Sequence, residues 1–178
     1  MTDVDHVVAA PRSGRRLGAV LGVAAAVIAL DQLTKQLVVA SSLSDGRIIH
    51  LFWTLRLNLH KNDGLAFSMA TGRGGLIAVV GAVVLTLRVR SVLRWPGRLP
   101  VVAAGLVVGG ALGNIVDRLF RSGSGFLGGG VVDFIDPQWW PVFNVADIGV
   151  SVGGVLLILV SFLQPDEKRD AEPVPQPG

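Results

Sequence analysis

The chain contains no cysteine and only three histidines among its 178 residues. Without cysteine there is no disulfide, no zinc–thiolate site and no thiol nucleophile. The histidines are His6, His50 and His60, and none stands near a serine in a pattern that suits a Ser–His–Asp hydrolase. No H-E-x-x-H occurs, so the common zinc-peptidase signature is missing too. Charge is scarce: 16% of residues are Asp, Glu, Lys or Arg, against 51% hydrophobic. A soluble domain of this length carries more charge and less continuous apolar sequence. The formal net charge of +3 raises the question of a nucleic-acid partner. The basic residues, however, are scattered at the ends of apolar runs and form no dense stripe, which is the pattern of membrane topology. The length suits one domain.

Four apolar runs are present, over residues 17–40, 74–93, 100–120 and 142–163. At 1.5 Å rise per residue, roughly 20 residues cross a bilayer, and each run is close to that length. Arg12, Arg15 and Arg16 before the first run resemble the start of a cleaved signal peptide. The helical pattern continues through Gln32, Leu33 and Leu37, however, and no A-x-A site follows, so the run is read as a span. Pro100 and Pro141 suit the starts of the third and fourth helices.

Lys and Arg in the flanks orient the spans. Arg12, Arg15, Arg16, Arg88, Arg90, Arg94, Arg98, Lys168 and Arg169 fall on one side; Arg47, Arg56, Lys61, Arg73, Arg118 and Arg121 fall on the other. The bias places both termini in the cytoplasm and segments 41–73 and 121–141 outside. Residues 1–16 are then a cytoplasmic N-terminal segment, 17–163 the membrane domain, and the proline-rich 164–178 a disordered cytoplasmic tail. In "FWTLRLNLH", Trp53, Leu55, Leu57 and Leu59 alternate with polar residues, which predicts a half-buried strand. The predicted fold is therefore an all-α membrane protein of four transmembrane helices, with a small extracytoplasmic β-sheet between the first two. "SGSGFLGGG" at 122–130 reads as a flexible loop, and Trp139 and Trp140 as interfacial anchors.

Four carboxylates converge on the outer end of this arrangement. Asp31 lies about 21 Å up the first helix and Asp117 about 26 Å up the third, while Asp147 lies about 8 Å below the outer end of the fourth. Asp133 is expected in the loop before that fourth helix. A charge in hydrocarbon costs about 2.5–3.5 kcal/mol, so such residues are paired or line a polar cavity. Asp31 has Lys35 at i+4, and Asp117 has Arg118 beside it and Arg121 at i+4. These read as structural charges. Asp136, before Pro137, reads as a turn residue. Asp133 and Asp147 have no basic residue within four positions. Two such carboxylates at one cavity suit an aspartyl-protease dyad, in which one member keeps a proton because both cannot ionise together. Proton-coupled transporters use membrane carboxylates as well.

Five motifs occur in order over about residues 27 to 155: "DQLTK" at 31–35, "NDGLAF" at 62–67, "GGALGNIVDR" at 109–118, "VVDFI" at 131–135 and "FNVAD" at 143–147. On four spans of this topology, the set resembles the lipoprotein signal peptidase family of bacteria, also called signal peptidase II. The resemblance implies an intramembrane aspartyl endopeptidase of the bacterial plasma membrane, with its site near the extracytoplasmic face. Such an enzyme removes the signal peptide of a prolipoprotein, cutting before a diacylglyceryl-modified cysteine. It implies that Asp133 and Asp147 are catalytic, in agreement with the choice made from pairing. Supporting polar roles fall to Asp31, Lys35, Asn62, Gly64, Asn114, Asp117, Arg118 and Asn144. The expected partners are diacylglyceryl-prolipoproteins and membrane lipids; no nucleic acid, metal or organic cofactor is expected, and the protein is expected to be a monomer. The chain departs from the family pattern at Asp63 and Leu65, where relatives commonly have threonine and alanine, and in the extra glycine-rich stretch.

Two other functions compete. A proton-coupled transporter predicts carboxylates at the midplane and an internal repeat, whereas the depths above are shallow and no repeat is found. A membrane scaffold leaves Asp133 and Asp147 without a reason to exist and predicts that Asn substitutions there are silent.

Overall fold

A computed structural model describes residues 12–62, 92, 94–123 and 128–163 of the chain. The second apolar run, apart from Val92, and Gly64 lie outside the described residues, as do the two terminal segments 1–11 and 164–178. Helix α1 spans Arg12–Val39, α2 spans Leu99–Phe120 and α3 spans Val145–Leu163. These correspond to the first, third and fourth apolar runs, and each is long and apolar enough to cross a membrane. Their exposed faces carry large apolar side chains such as Leu21, Leu33, Val155 and Ile158. A surface of that kind suits contact with lipid.

The middle helix, α2, packs against both of the others. Adjacent glycines serve the two neighbours. A Cβ on Gly109 would lie 2.8 Å from Ala24 O of α1, and one on Gly110 would lie 2.2 Å from Ala146 O of α3. Both residues must therefore be small for the helix backbones to approach this closely. At one end of the bundle Val20, Val101 and Ala104 form an apolar cluster with Val92, flanked by Trp95 and Leu157.

At the other end of the bundle lies a three-stranded antiparallel sheet in the order β1-β2-β3: Ile49–Phe52, Leu55–Asn62 and Val131–Asp136. A 3₁₀ turn at Ser42–Asp45, capped by the Ser41 hydroxyl on Leu43 N–H, leads from α1 into β1. Val38 and Leu43 meet Val132 and Phe134 in a second apolar cluster, with Leu57 and Leu59 packed on it. This cluster seats the sheet on the end of α1.

The structure corrects four expectations. The sheet is not confined to the segment between the first two spans, because β3 comes from 131–136, between α2 and α3. Asp133 is therefore on a strand rather than in a loop. Trp53 is not in the predicted strand; it sits in the β1–β2 turn with φ +49° and is 94% exposed. Pro141 does not start the last helix, which begins at Val145. Pro100 does lie in the first turn of α2. The described ends of the glycine-rich stretch also form a tight return, with Gly123 bridged to Gly129 and Gly129 N–H donating to Arg118 O. A Cβ on Gly129 would lie 2.6 Å from two carbonyls of that region, Asp117 O and Arg121 O. Glycine at 129 thus lets β3 begin directly against the end of α2.

Candidate active site

The start of α3 fixes one carboxylate. Asn144 precedes the helix, and its Oδ1 accepts the N–H of Asp147 at 3.0 Å. In return Asp147 Oδ2 accepts the N–H of Asn144 at 3.1 Å. This reciprocal pair is a capping box, which satisfies two donors that a helix N-terminus leaves open. A third, Ala146 N–H, donates to Asp31 Oδ1 of α1 at 2.9 Å. Two carboxylates thus stand at the positive end of a helix dipole, where negative charge is favoured.

The sheet fixes the second carboxylate. Val132 and Phe134 turn into the apolar cluster. Strand alternation then sends Asp133 to the opposite face. Asn144 Nδ2 donates to Asp133 Oδ1 at 2.6 Å, and Asn62 Nδ2 donates to Asp133 Oδ2 at 3.0 Å. Asn62 pairs with Val131 in the ladder, so it reaches Asp133 as a diagonal neighbour. One amide, that of Asn144, therefore touches Asp133 through its nitrogen and Asp147 through its oxygen.

Behind this pair lies a buried charge cluster. Lys35 Nζ is 2.8 Å from Asp31 Oδ2 and 3.0 Å from Asp117 Oδ2, with all three side chains fully buried. Its third contact is Asn114 Oδ1 at 3.0 Å, and Asn114 Nδ2 donates to Asp147 Oδ1 at 2.9 Å. Asp117 also accepts from Arg121 Nε at 2.8 Å and from the N–H of Val132 at 3.1 Å. The latter bond ties β3 to α2. Arg118, expected beside Asp117, lines the adjoining cavity. Asp136 accepts from Arg56 Nε at 2.7 Å, from Asn58 Nδ2 and, as a turn residue, from the N–H of Gln138.

The carboxylates therefore sort into two kinds. The ion pairs among the described residues fall on Asp31, Asp117 and Asp136. Asp133 and Asp147 are held by amides and backbone N–H groups. Burial, and then the neighbouring Asp147 carboxylate, push the Asp133 carboxyl up to about 6, against the pull of the two amides and Lys35. At Asp136 burial acts in the same direction. There the Arg56 guanidinium, the Asn58 amide and the Gln138 N–H outweigh it and hold the carboxyl below its ordinary range.

Both amide-held carboxylates line one cavity of about 620 Å³. Asn62, Asn114 and Arg118 complete its polar wall, and Val142, Phe143, Ile148 and Val152 are among its apolar lining. Of the expected site residues, Asp31, Lys35, Asn62, Asn114, Asp117, Arg118, Asp133, Asn144 and Asp147 are thus brought to one end of the bundle. Among the described residues, no group of three His, Cys, Asp or Glu is placed to hold a metal ion. One participant escaped the sequence reading. Gln32 Nε2 lies 3.1 Å from Asp31 Oδ2, from Gly113 O and from Asp117 Oδ1. The available signal was an amide inside an apolar run, beside an aspartate already singled out.

Two solved bacterial membrane enzymes, both determined by the in meso method, share the fold. The one at 2.3 Å resolution superposes with a TM-score of 0.69 at 25% identity, over 88% of this chain and 95% of its own. The one at 1.9 Å has a TM-score of 0.63 at 27% identity, over 84% and 94%. The lipoprotein signal peptidase of Rhodococcus jostii is 45% identical over 152 residues, covering 83% of this chain and 75% of the relative. That of Mycobacterium avium is 43% identical over 156 residues, covering 84% and 82%. Residues 23–163 match the family profile of signal peptidase (SPase) II. With that match running over most of its length, the chain belongs to the signal peptidase II family.

Proposed function

We propose that the chain is an intramembrane aspartyl endopeptidase that removes the signal peptide of prolipoproteins, cutting just before a diacylglyceryl-modified cysteine. The observation that carries this reading is the pair Asp133 and Asp147. Both are held by amide or backbone N–H donors, and they face one cavity together. Family membership supplies the substrate class.

Two carboxylates facing one cavity share one proton, and in this mechanism that proton sits on Asp133, whose burial and Asp147 neighbour favour the neutral form. The ionised Asp147 takes a proton from water as the water oxygen attacks the scissile carbonyl carbon. Protonated Asp133 donates to the carbonyl oxygen, giving a neutral tetrahedral diol. Asp147 then passes its proton to the amide nitrogen while the ionised Asp133 takes one from a diol hydroxyl, the C–N bond breaks to leave a carboxyl group and an amine, and the dyad again holds one shared proton. Asn144 donates its side-chain amide to the Asp133 carboxyl and its backbone N–H to the Asp147 carboxylate, and so holds the two in register for this exchange. The apolar wall at Ile148 and Val152 is placed to receive acyl chains while the polar wall admits water. In this reading residues 17–163 form the peptidase domain, both termini are cytoplasmic, the site opens to the extracytoplasmic side, and one copy of the chain suffices.

The test is cleavage of a purified diacylglyceryl-prolipoprotein by detergent-solubilised wild type, Asp133→Asn and Asp147→Asn, with thermal unfolding to confirm folding. Each variant is expected to be folded and to lose about 10³-fold or more in rate. A folded dyad variant that cleaves at near the wild-type rate removes that residue from the mechanism.

A further inference from the structure

The mechanism above leaves one buried cation without a task. Lys35 has no exposed surface, and its three N–H groups are fully used by Asp31 Oδ2, Asp117 Oδ2 and Asn114 Oδ1 at 2.8, 3.0 and 3.0 Å. The two carboxylates alone would satisfy the charge. With Arg121 on Asp117, the cluster is two cations against two anions. The third contact, to a neutral amide, adds nothing to that balance. It does decide which way the amide faces.

An ammonium has donors and no acceptor. The atom of Asn114 that faces it must therefore be the oxygen. The nitrogen is then forced to the other side, where Asp147 Oδ1 accepts from it at 2.9 Å. A flipped Asn114 would set its NH₂ against the Lys35 ammonium and its oxygen against the Asp147 carboxylate. Asn144 Nδ2 also donates to Asn114 Oδ1, at 3.1 Å. That bond is neutral, however, and charge-assisted hydrogen bonds are roughly twice as strong. The cation also polarises the amide and strengthens its N–H as a donor.

We propose that Lys35 is a positioning residue: its buried ammonium locks the Asn114 carboxamide in one orientation, so that an N–H donor always faces Asp147. The role rests on the dyad reading, and it assigns the Lys35–Asn114 chain the work of keeping Asp147 the ionised, proton-accepting member. Other charged groups also face this end of α3. They are Asp133 from β3, Asp31 from α1, and Asp117 and Arg118 from α2.

The test is a double-mutant cycle read on the acid limb of the kcat/KM pH profile. Lys35→Met is made together with Asp31→Asn, so that one charge of each sign leaves the cluster. Removing both cancels most of the direct Coulomb effect on Asp147 and leaves the loss of the amide lock. The acid limb is expected to move up by about half a pH unit or more, with kcat reduced about tenfold and KM little changed. Asn114→Leu is expected to move the limb in the same direction. The triple variant is expected to sit where Asn114→Leu alone sits, because Lys35 then has no amide to orient. Lys35→Met with Asp117→Asn is a second charge-balanced pair with the same expectation, and guards against a folding failure of the first. An unmoved acid limb in a folded charge-balanced variant, or additive shifts in the triple variant, overturns the positioning role alone. Near-wild-type cleavage by folded Asp147→Asn overturns the dyad reading and this role together.

Discussion

Asn144 and Asp147 cap each other at the start of α3, each accepting the other's backbone N–H through a side-chain oxygen. The same Asn144 side chain donates to Asp133. One residue thus serves stability through its oxygen and the dyad through its nitrogen. The two duties can be separated. Asn144→Ser keeps a good capping oxygen but has no amide to reach β3. It is expected to unfold within a few degrees of wild type yet to cleave about 10- to 100-fold more slowly, the worth of a hydrogen bond to the charge that develops on Asp133 as it gives up its proton. Asn144→Ala is expected to lose a further ~1 kcal/mol of stability with the cap. Full activity in the Ser variant would show that the Asn144–Asp133 bond has no part in turnover.

The Asp133 carboxyl, raised from 3.8 to about 6, makes stability depend on pH in a definite direction. Between these two values the folded state binds more protons than the unfolded state. Stability from this group is therefore full at acid pH, falls as pH rises through the window, and is level above about pH 7. A shift of this size corresponds to a loss on the order of 2–3 kcal/mol. Asp133→Asn does not titrate. Comparing melting temperatures of wild type and variant from pH 4 to 7.5 should show wild type losing ground to the variant as pH rises. A constant difference across that range contradicts the raised carboxyl.

The three described spans were legible because composition and length dictate them, and the Asp31–Lys35 pair because i,i+4 spacing puts both on one helix face. Asp133 and Asp147 were set apart from Asp31 and Asp117 by the absence of nearby basic residues, but Asp136 has none nearby either, and its partner Arg56 lies 80 positions away. Strand β3 was not. "VVDFID" is buried on both faces, so it shows no period-two alternation, and only its pairing with β2 declares it a strand. The late start of α3 could have been read from the N-x-x-D spacing of Asn144 and Asp147, which outranks Pro141 as a helix-start signal here. The links Lys35–Asn114 and Asn62–Asp133 join residues 79 and 71 positions apart. No local pattern carries such contacts.

Arg56 and Asp136 join β2 to β3 at the end of the sheet away from the dyad. Asp136→Asn removes the negative charge that pairs with Arg56 and sets an NH₂ group against at least one of the donors from which Asp136 now accepts. Breaking a pair of this kind with one half buried is expected to cost about 1–3 kcal/mol, seen as a lower melting temperature at neutral pH. Because the Asp136 carboxyl is held below 3.8, the wild-type advantage is present above that value and is lost only as pH falls below it. The effect on kcat should stay within about threefold, since Asp136 touches neither dyad residue. A large loss of kcat with an unchanged melting temperature would instead place Asp136 in the chemistry.

Close approach of α2 and α3 sets where Asp147 stands relative to Asn114. A Cβ on Gly110 would lie 2.2 Å from Ala146 O and 2.9 Å from Val150 Cγ2, a contact that cannot be relieved by rotating a flexible side chain. Gly110→Ala must push the start of α3 away, and Asp147 lies one residue beyond Ala146. Displacement of a reacting group by about 1 Å can cost on the order of 10²-fold in rate. The variant is therefore expected to lose at least tenfold in kcat along with stability. Gly154→Ala provides the comparison, since a Cβ there meets nothing within 4 Å among the described residues. It belongs to α3, the helix that carries Asp147, and adds the same methyl group. Its activity should match wild type, and its helix should be slightly stabilised, by up to about 1 kcal/mol, because alanine replaces glycine in a helix interior. Equal losses from the two substitutions would mean that helix flexibility, and not the α2–α3 contact, governs the position of Asp147.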